Sequence, residues 1–134
     1  MIKEKKVRLL IIDEQEAYYN LIKEYVEMYS HEFKIECEHA RGDDAHKKIG
    51  SFLPSIIVLD AHLETISYLE ILKHCGEGIA PVVVMSTSQN KEIADSAIEC
   101  GAEAFIPKSE DPDDVEFVLT RLALMGEEDV YKVN

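Results

Sequence analysis

The chain has 134 residues, room for one domain, and 46% of them are hydrophobic, which is enough for a core and excludes an intrinsically disordered polymer. Fourteen basic residues stand against 27 acidic ones, a net charge of −13, and a field of that sign repels phosphate backbones and anionic lipid headgroups. No apolar run approaches the roughly 18 residues that cross a bilayer, and no signal-peptide stretch develops before Asp13, so a soluble cytoplasmic protein without nucleic-acid or membrane contacts is expected.

Val7–Ile12 is rich in branched residues and stops at Asp13, which predicts a strand buried on both faces. Tyr18, Leu21, Ile22, Tyr25, Val26 and Tyr29 then recur at helical spacing, giving a helix from about Gln15 to about Ser30. Lys34–Glu38 alternates as an edge strand does. Gly42-Asp43 supplies a turn and cap before a helix carrying Ala45, Ile49 and Phe52, and Pro54 ends it. Ser55–Leu59 is a second buried strand, stopping at Asp60. A helix follows from about Ser67 to Cys75, closed by Gly76.

Pro81–Met85 is the third buried strand, stopping at Ser86, and a helix from about Lys91 to Cys100 follows with Gly101 as its terminator. Ala104-Phe105-Ile106 makes a short strand before Pro107-Lys108. Asp111-Pro112 caps a last helix whose apolar stripe is Val115, Val118, Leu119, Leu122 and Met125. The domain is expected to span 1–126, with 127–134 as a frayed tail. Cys37, Cys75 and Cys100 form no C-x-x-C and signal neither a zinc knuckle nor a disulfide framework. His39, close to Cys37, fits no metal spacing.

Five repeats of strand then helix imply a five-stranded parallel sheet with helices on both faces, a three-layer α/β/α sandwich. Ligands of such sheets bind at the carboxyl ends of the strands. There the sequence gathers Asp13 and Glu14 after the first strand, Asp60 after the third, Ser86 after the fourth and Lys108 after the fifth. Clustered carboxylates repel one another, and a divalent cation with oxygen ligands and waters removes the conflict; magnesium suits that set. A lysine and a hydroxyl beside the cation can hold a phosphoryl group. The implied chemistry is phosphoryl transfer, with the central Asp60 as acceptor.

From about Val7 to Met125 this pattern resembles the response-regulator receiver domains of two-component signalling. The resemblance rests on the acidic pair Asp13-Glu14, the acceptor Asp60, the hydroxyl Ser86, Lys108 and the strand-five aromatic Phe105, in order and at fitting spacing. It implies a flavodoxin-like fold, and that Asp60 takes a phosphoryl group from the phosphohistidine of a sensor kinase or phosphotransfer protein. Magnesium would be held by Asp13, Glu14, Asp60 and the backbone carbonyl of His62. Lys108 and Ser86 would bind the phosphoryl oxygens, with Ser86 and Phe105 as the moving switch. Output would pass to a protein effector through the fourth helix, fifth strand and fifth helix, or to a second copy through the same face.

The chain departs from the family at Glu14, where aspartate is usual, and in the loop Ala61–Tyr68, which lacks the usual Pro and Asp-Gly. It departs again at Thr87, usually a small residue, and at Ser109, usually a proline. These departures motivate a rival reading, a receiver that no longer phosphorylates and serves as a docking module. A regulatory piece of a longer response regulator is a further alternative. A flavin-binding electron carrier of the same topology would need a hydroxyl- and Gly-rich loop after the first strand, and Gln15-Glu16-Ala17-Tyr18 is not one.

Overall fold

Buried aliphatic strands alternate with one-sided helices, and the computed structural model resolves that alternation into a three-layer sandwich. It describes residues 2–29, 34–75, 78–88, 90–109, 111, 114, 120–122, 124–125 and 127–132. In chain order the elements are β1 (Ile2–Ile12), α1 (Glu16–Tyr29), β2 (Lys34–Ala40), a 3-10 turn (Gly42–Asp44) and α2 (Ala45–Phe52). There follow β3 (Ile56–Asp60), α3 (Tyr68–Cys75), β4 (Val82–Ser86), α4 (Lys91–Glu99), β5 (Ala104–Pro107) and β6 (Glu127–Lys132). Residues 114, 120–122, 124 and 125 are helical. The rest of the expected last helix, with Pro112 at its first position and its Val115, Val118 and Leu119, lies outside the described residues, as do Ser30, Gly76 and Gly126.

The five parallel strands run in the order β2-β1-β3-β4-β5. All five positions of β3 and all five of β4 are buried, which is why both read as unbroken apolar runs. Side chains alternate across the sheet. Leu9, Ile11, Ile56, Val58, Val83, Met85, Ala104 and Ile106 face one side, where Tyr18, Ile22 and Val26 of α1 and Leu122 cover them. Leu10, Ile12, Ile57, Leu59, Val82 and Val84 face the other, under α2, α3 and α4. Each large aliphatic side chain so enclosed contributes about 1.5–3 kcal/mol relative to exposure.

Local signals set the element ends. Asn90 caps α4, its side chain accepting from the Glu92 amide at 2.8 Å. Gly101, at φ 106, occupies the left-handed position that ends it. The α2 helix stops at Phe52, two residues before Pro54, and Leu53 between them turns left-handed at φ 55. The Leu53 carbonyl accepts from the guanidinium of Arg8, with Nε at 2.9 Å. The cysteines are free thiols. Burial pushes Cys75 up to about 11 and, with further electrostatic contributions, Cys37 up to about 12.

The frayed tail is corrected by the structure. Residues 127–132 form β6, antiparallel to β1, with Ile2 opposite Lys132 and Val7 opposite Glu127. Lys6 and Val7 also pair with Lys34 and Ile35 of β2, so β2 and β6 must occupy opposite edges of β1. The edge β6 takes is the one β3 occupies from Leu9 onward. The sheet is therefore six-stranded, and its extra strand sits at the amino-terminal end, away from the strand-end residues.

Candidate functional site

Parity along the strands decides which groups meet. Ile12 pairs with Leu59, so Asp13 and Asp60 stand one rung further on, on adjacent strands and on the face that α1 covers. Carboxylates so placed repel. Asp13 is 2% exposed and Asp60 7%, which limits the help water can give. Burial and then the Asp13 charge push the Asp60 carboxyl above its ordinary range, with Lys108, the His62 amide and the His62 ring acting against them.

Lys108 answers the repulsion. Its backbone N–H donates to the Ser86 carbonyl at 2.9 Å, fixing the chain just past β5. Its Nζ lies 2.6 Å from Asp13 Oδ2 and 3.8 Å from Asp60 Oδ2, with the side chain 8% exposed. The same ammonium sits 4.5 Å from the centroid of the Tyr18 ring. Asp13 Oδ1 accepts from the Gln15 amide at 2.8 Å and Asp60 Oδ1 from the His62 amide at 3.2 Å, so each acid is turned by its own loop.

Ser86 lies on the opposite face of the sheet from Asp60, the face of α4 and Phe105. It is 1% exposed. Its Oγ lies 2.7 Å from His62 Nε2 and accepts from the Ser88 amide at 2.9 Å. Phe105 is half-buried against the α2–α4 side of the core. It pairs with Val84 while Ser86 pairs with Pro107, so Ser86 and Phe105 share one face two residues apart in register. The expected site residues Asp13, Asp60, Lys108 and Ser86 thus converge at one end of the sheet.

Glu14 does not join them. Its Oε1 accepts from the Thr65 hydroxyl at 3.0 Å and the Gly42 amide at 3.3 Å, and its Oε2 pairs with Arg41 Nε at 3.2 Å without a hydrogen bond. Burial opposes ionisation, but Thr65, Gly42 and Arg41 together hold the carboxyl below its ordinary value. Glu14 therefore ties the β1–α1 loop to the β2–α2 and β3–α3 loops. Its longer side chain reaches sideways to Thr65, away from the Asp13–Lys108–Asp60 cluster. Among the described residues no group of three His, Cys, Asp or Glu side chains is set to hold a metal ion. Asp13 and Asp60 do fit a hard cation that keeps most of its waters, since both offer oxygen donors and both gain from relief of their repulsion.

Gly42 makes the Glu14 tie possible. A Cβ there would lie 2.8 Å from Ile66 Cγ2 and 2.9 Å from both Glu14 Oε1 and Thr65 Oγ1. Gly42→Ala will therefore cost about 1–3 kcal/mol in a urea titration, as overpacking does. An unchanged midpoint would show that the three loops can part freely.

Sequence reasoning missed three residues. Tyr18 was assigned to the apolar stripe of α1, yet its ring lies under the site lysine. His39, which fits no metal spacing, places Nε2 2.7 Å from the Asp13 carbonyl and stacks on Tyr19 with centroids 5.0 Å apart. Thr65 lies in the loop Ala61–Tyr68, where nothing in the sequence sets it apart. For Tyr18 a signal existed: an aromatic ring in the first turn of a helix that starts at the carboxyl ends of the strands.

A family model for the response regulator receiver domain matches residues 9–119. The chain belongs to that family. It is 30% identical over 105 residues to a protein-glutamate methylesterase/protein-glutamine glutaminase of Bacillus licheniformis, covering 76% of this chain and 29% of that protein. It is 26% identical over 120 residues to a nitrate/nitrite response regulator protein homolog of Haemophilus influenzae, covering 88% of this chain and 57% of that one. The chain thus spans less than two thirds of either relative. A Burkholderia pseudomallei response regulator solved with a phosphorylated aspartic acid, a calcium ion and citrate superimposes with a TM-score of 0.69 at 23% identity, over 87% of this chain and 66% of that one. That likeness concerns the fold of the receiver domain.

Proposed function

We propose that this receiver domain is a switch in which Asp60 accepts a phosphoryl group from a phosphohistidine of a sensor kinase or phosphotransfer protein. The observation that carries this reading is the pair of buried carboxylates on adjacent strands with one ammonium reaching both. An Asp60 oxygen attacks phosphorus, the phosphorus–nitrogen bond breaks, and the imidazole leaves with the bonding pair. Lys108, already 3.8 Å from Asp60 Oδ2, neutralises the charge that arrives. Asp13, Asp60 and the His62 carbonyl would hold magnesium, which when bound supplies positive charge beside the phosphoryl oxygens.

Ser86 carries the signal onward. In this structure its hydroxyl is engaged by His62 and the Ser88 amide. A phosphoryl group on Asp60 offers a stronger, charged acceptor, so the hydroxyl changes partner and Phe105, on the same face, moves inward. The output face is α4, β5 and the last helix, where Glu99 and Glu103 are exposed and Asp95 is 63% exposed. It suits a basic or mixed patch on an effector protein, with a second copy as the competing occupant. The chain works as a regulatory unit in the cytoplasm; no helix among the described residues is long and apolar enough to cross a membrane.

Intact mass after incubation with acetyl phosphate and magnesium tests the assignment. One added phosphoryl group is expected, and none in Asp60→Asn; labelling of that variant would remove Asp60 as acceptor. The commitment of Glu14 to Arg41, Gly42 and Thr65 favours a second reading, a docking module that is not phosphorylated, and a parent that takes no label would establish it. Excess magnesium should raise the melting temperature by mass action. Glu14→Gln should melt lower than the parent yet gain as much from magnesium. A magnesium effect lost in that variant would return Glu14 to the ligand set.

A further inference from the structure

The Tyr18 ring is packed where any apolar side chain would fill the space, as Ile22 and Val26 do further along the same face of α1. It differs from them in meeting a charge: the Lys108 ammonium lies 4.5 Å from its centroid. Its hydroxyl finds a soft acceptor, Met85 Sδ at 3.5 Å. A buried phenol gains little from a thioether, so the hydroxyl does not account for the residue. The ring does. An aromatic face attracts a cation without fixing it to one point, whereas the oxygens on either side are discrete, at 2.6 Å on Asp13 and 3.8 Å on Asp60.

We propose that Tyr18 is a positioning residue for phosphoryl transfer: its ring face holds the Lys108 ammonium between Asp13 and Asp60 and lets it swing toward Asp60 without leaving the site. Lys108 has to exchange a short pair with Asp13 for contact with incoming phosphoryl oxygens. Burial in the core on the α1 side keeps the ring in place while the ammonium moves. Burial and the nearby Asp13 and Asp60 charges push the Tyr18 phenol well above its ordinary value, so it stays neutral and adds no charge of its own.

This inference rests on Asp60 being the phosphoacceptor, and the experiment separates the two. Labelling rates with acetyl phosphate and magnesium are compared for the parent, Tyr18→Phe and Tyr18→Leu, with Tyr18→Met in place of the leucine variant should that one not fold. Phe keeps the ring and should label within about twofold of the parent; Leu fills the space without a ring and should label about tenfold more slowly, which corresponds to about 1.4 kcal/mol, the scale of a desolvated cation–ring contact. The Lys108 ε-methylene protons should resonate upfield of ordinary lysine in the parent and in Tyr18→Phe, and at the ordinary position in Tyr18→Leu. A packing role alone would not move that signal. Equal labelling of the leucine and phenylalanine variants, or an ordinary Lys108 signal in the parent, overturns the Tyr18 assignment while leaving Asp60 in place. A parent that takes no label overturns both.

Discussion

Lys108→Met will destabilise the domain by about 3–5 kcal/mol at neutral pH, the usual consequence of removing one member of a buried ion pair. Methionine fills similar volume, so the loss is electrostatic. It leaves Asp13 and Asp60 buried side by side with no cation between them. Asp60 already lies above its ordinary range because of burial and the Asp13 charge, and Lys108 is one of the groups that restrain it. Without Lys108 its affinity for a proton in the fold rises further, while in the unfolded chain it is unchanged. The variant therefore takes up more proton on folding, and its deficit shrinks as the pH falls toward the ordinary aspartate range. Thermal melts of parent and variant at neutral pH and near pH 4.5 read this directly. A deficit independent of pH would mean that the loss does not come from the repulsion between Asp13 and Asp60.

Asp60→Asn should melt a few degrees higher than the parent at neutral pH. The sign follows from the raised folded value of Asp60. Below the unfolded aspartate value the carboxyl is protonated in both states and costs nothing. As the pH rises from there through the raised folded value, the unfolded chain ionises more readily than the fold, and stability falls. Above the folded value the penalty is complete. Asparagine keeps an oxygen for the His62 amide and removes the charge, and Asp13 retains Lys108 at 2.6 Å. The gain should therefore be largest at neutral pH and fade near pH 4. A lower melting temperature for Asp60→Asn at neutral pH would show that the charge contributes more through Lys108 than it costs through burial. Together the two variants separate the two charges: Asp60 is a cost to the fold, and Lys108 limits it.

The buried strands were legible because nothing but an apolar run can occupy a strand covered on both faces, and each run stops at the polar residue that reaches the site. Asp13, Asp60, Ser86 and Lys108 are consequently readable as strand ends. What that reading lacks is the direction of a side chain once it leaves the strand. Glu14 follows Asp13 in the sequence, yet its carboxylate is drawn to Thr65, whose loop begins some fifty residues later. Tyr18 has the same helical spacing as Ile22, and its meeting with Lys108 depends on a strand from the far end of the chain. β6 was missed for a related reason. Glu127-Glu128-Asp129 carries no apolar alternation, and its partner Ile2–Val7 is equally charged. Two weak strands identify each other by pairing, which no local window contains.

That pairing also bears on how the chain folds. Leu9 of β1 meets Ile56 of β3 across roughly 47 positions of chain, whereas Ile2–Val7 meet β6 across roughly 120–130. Closing the longer loop is entropically costlier only by the logarithm of its length, but it cannot be repaid until most of the intervening strands have found their places. β1 is thus one strand with two histories: its carboxyl half can join the nucleus of the parallel sheet, while its amino half waits for residues near the other end of the sequence.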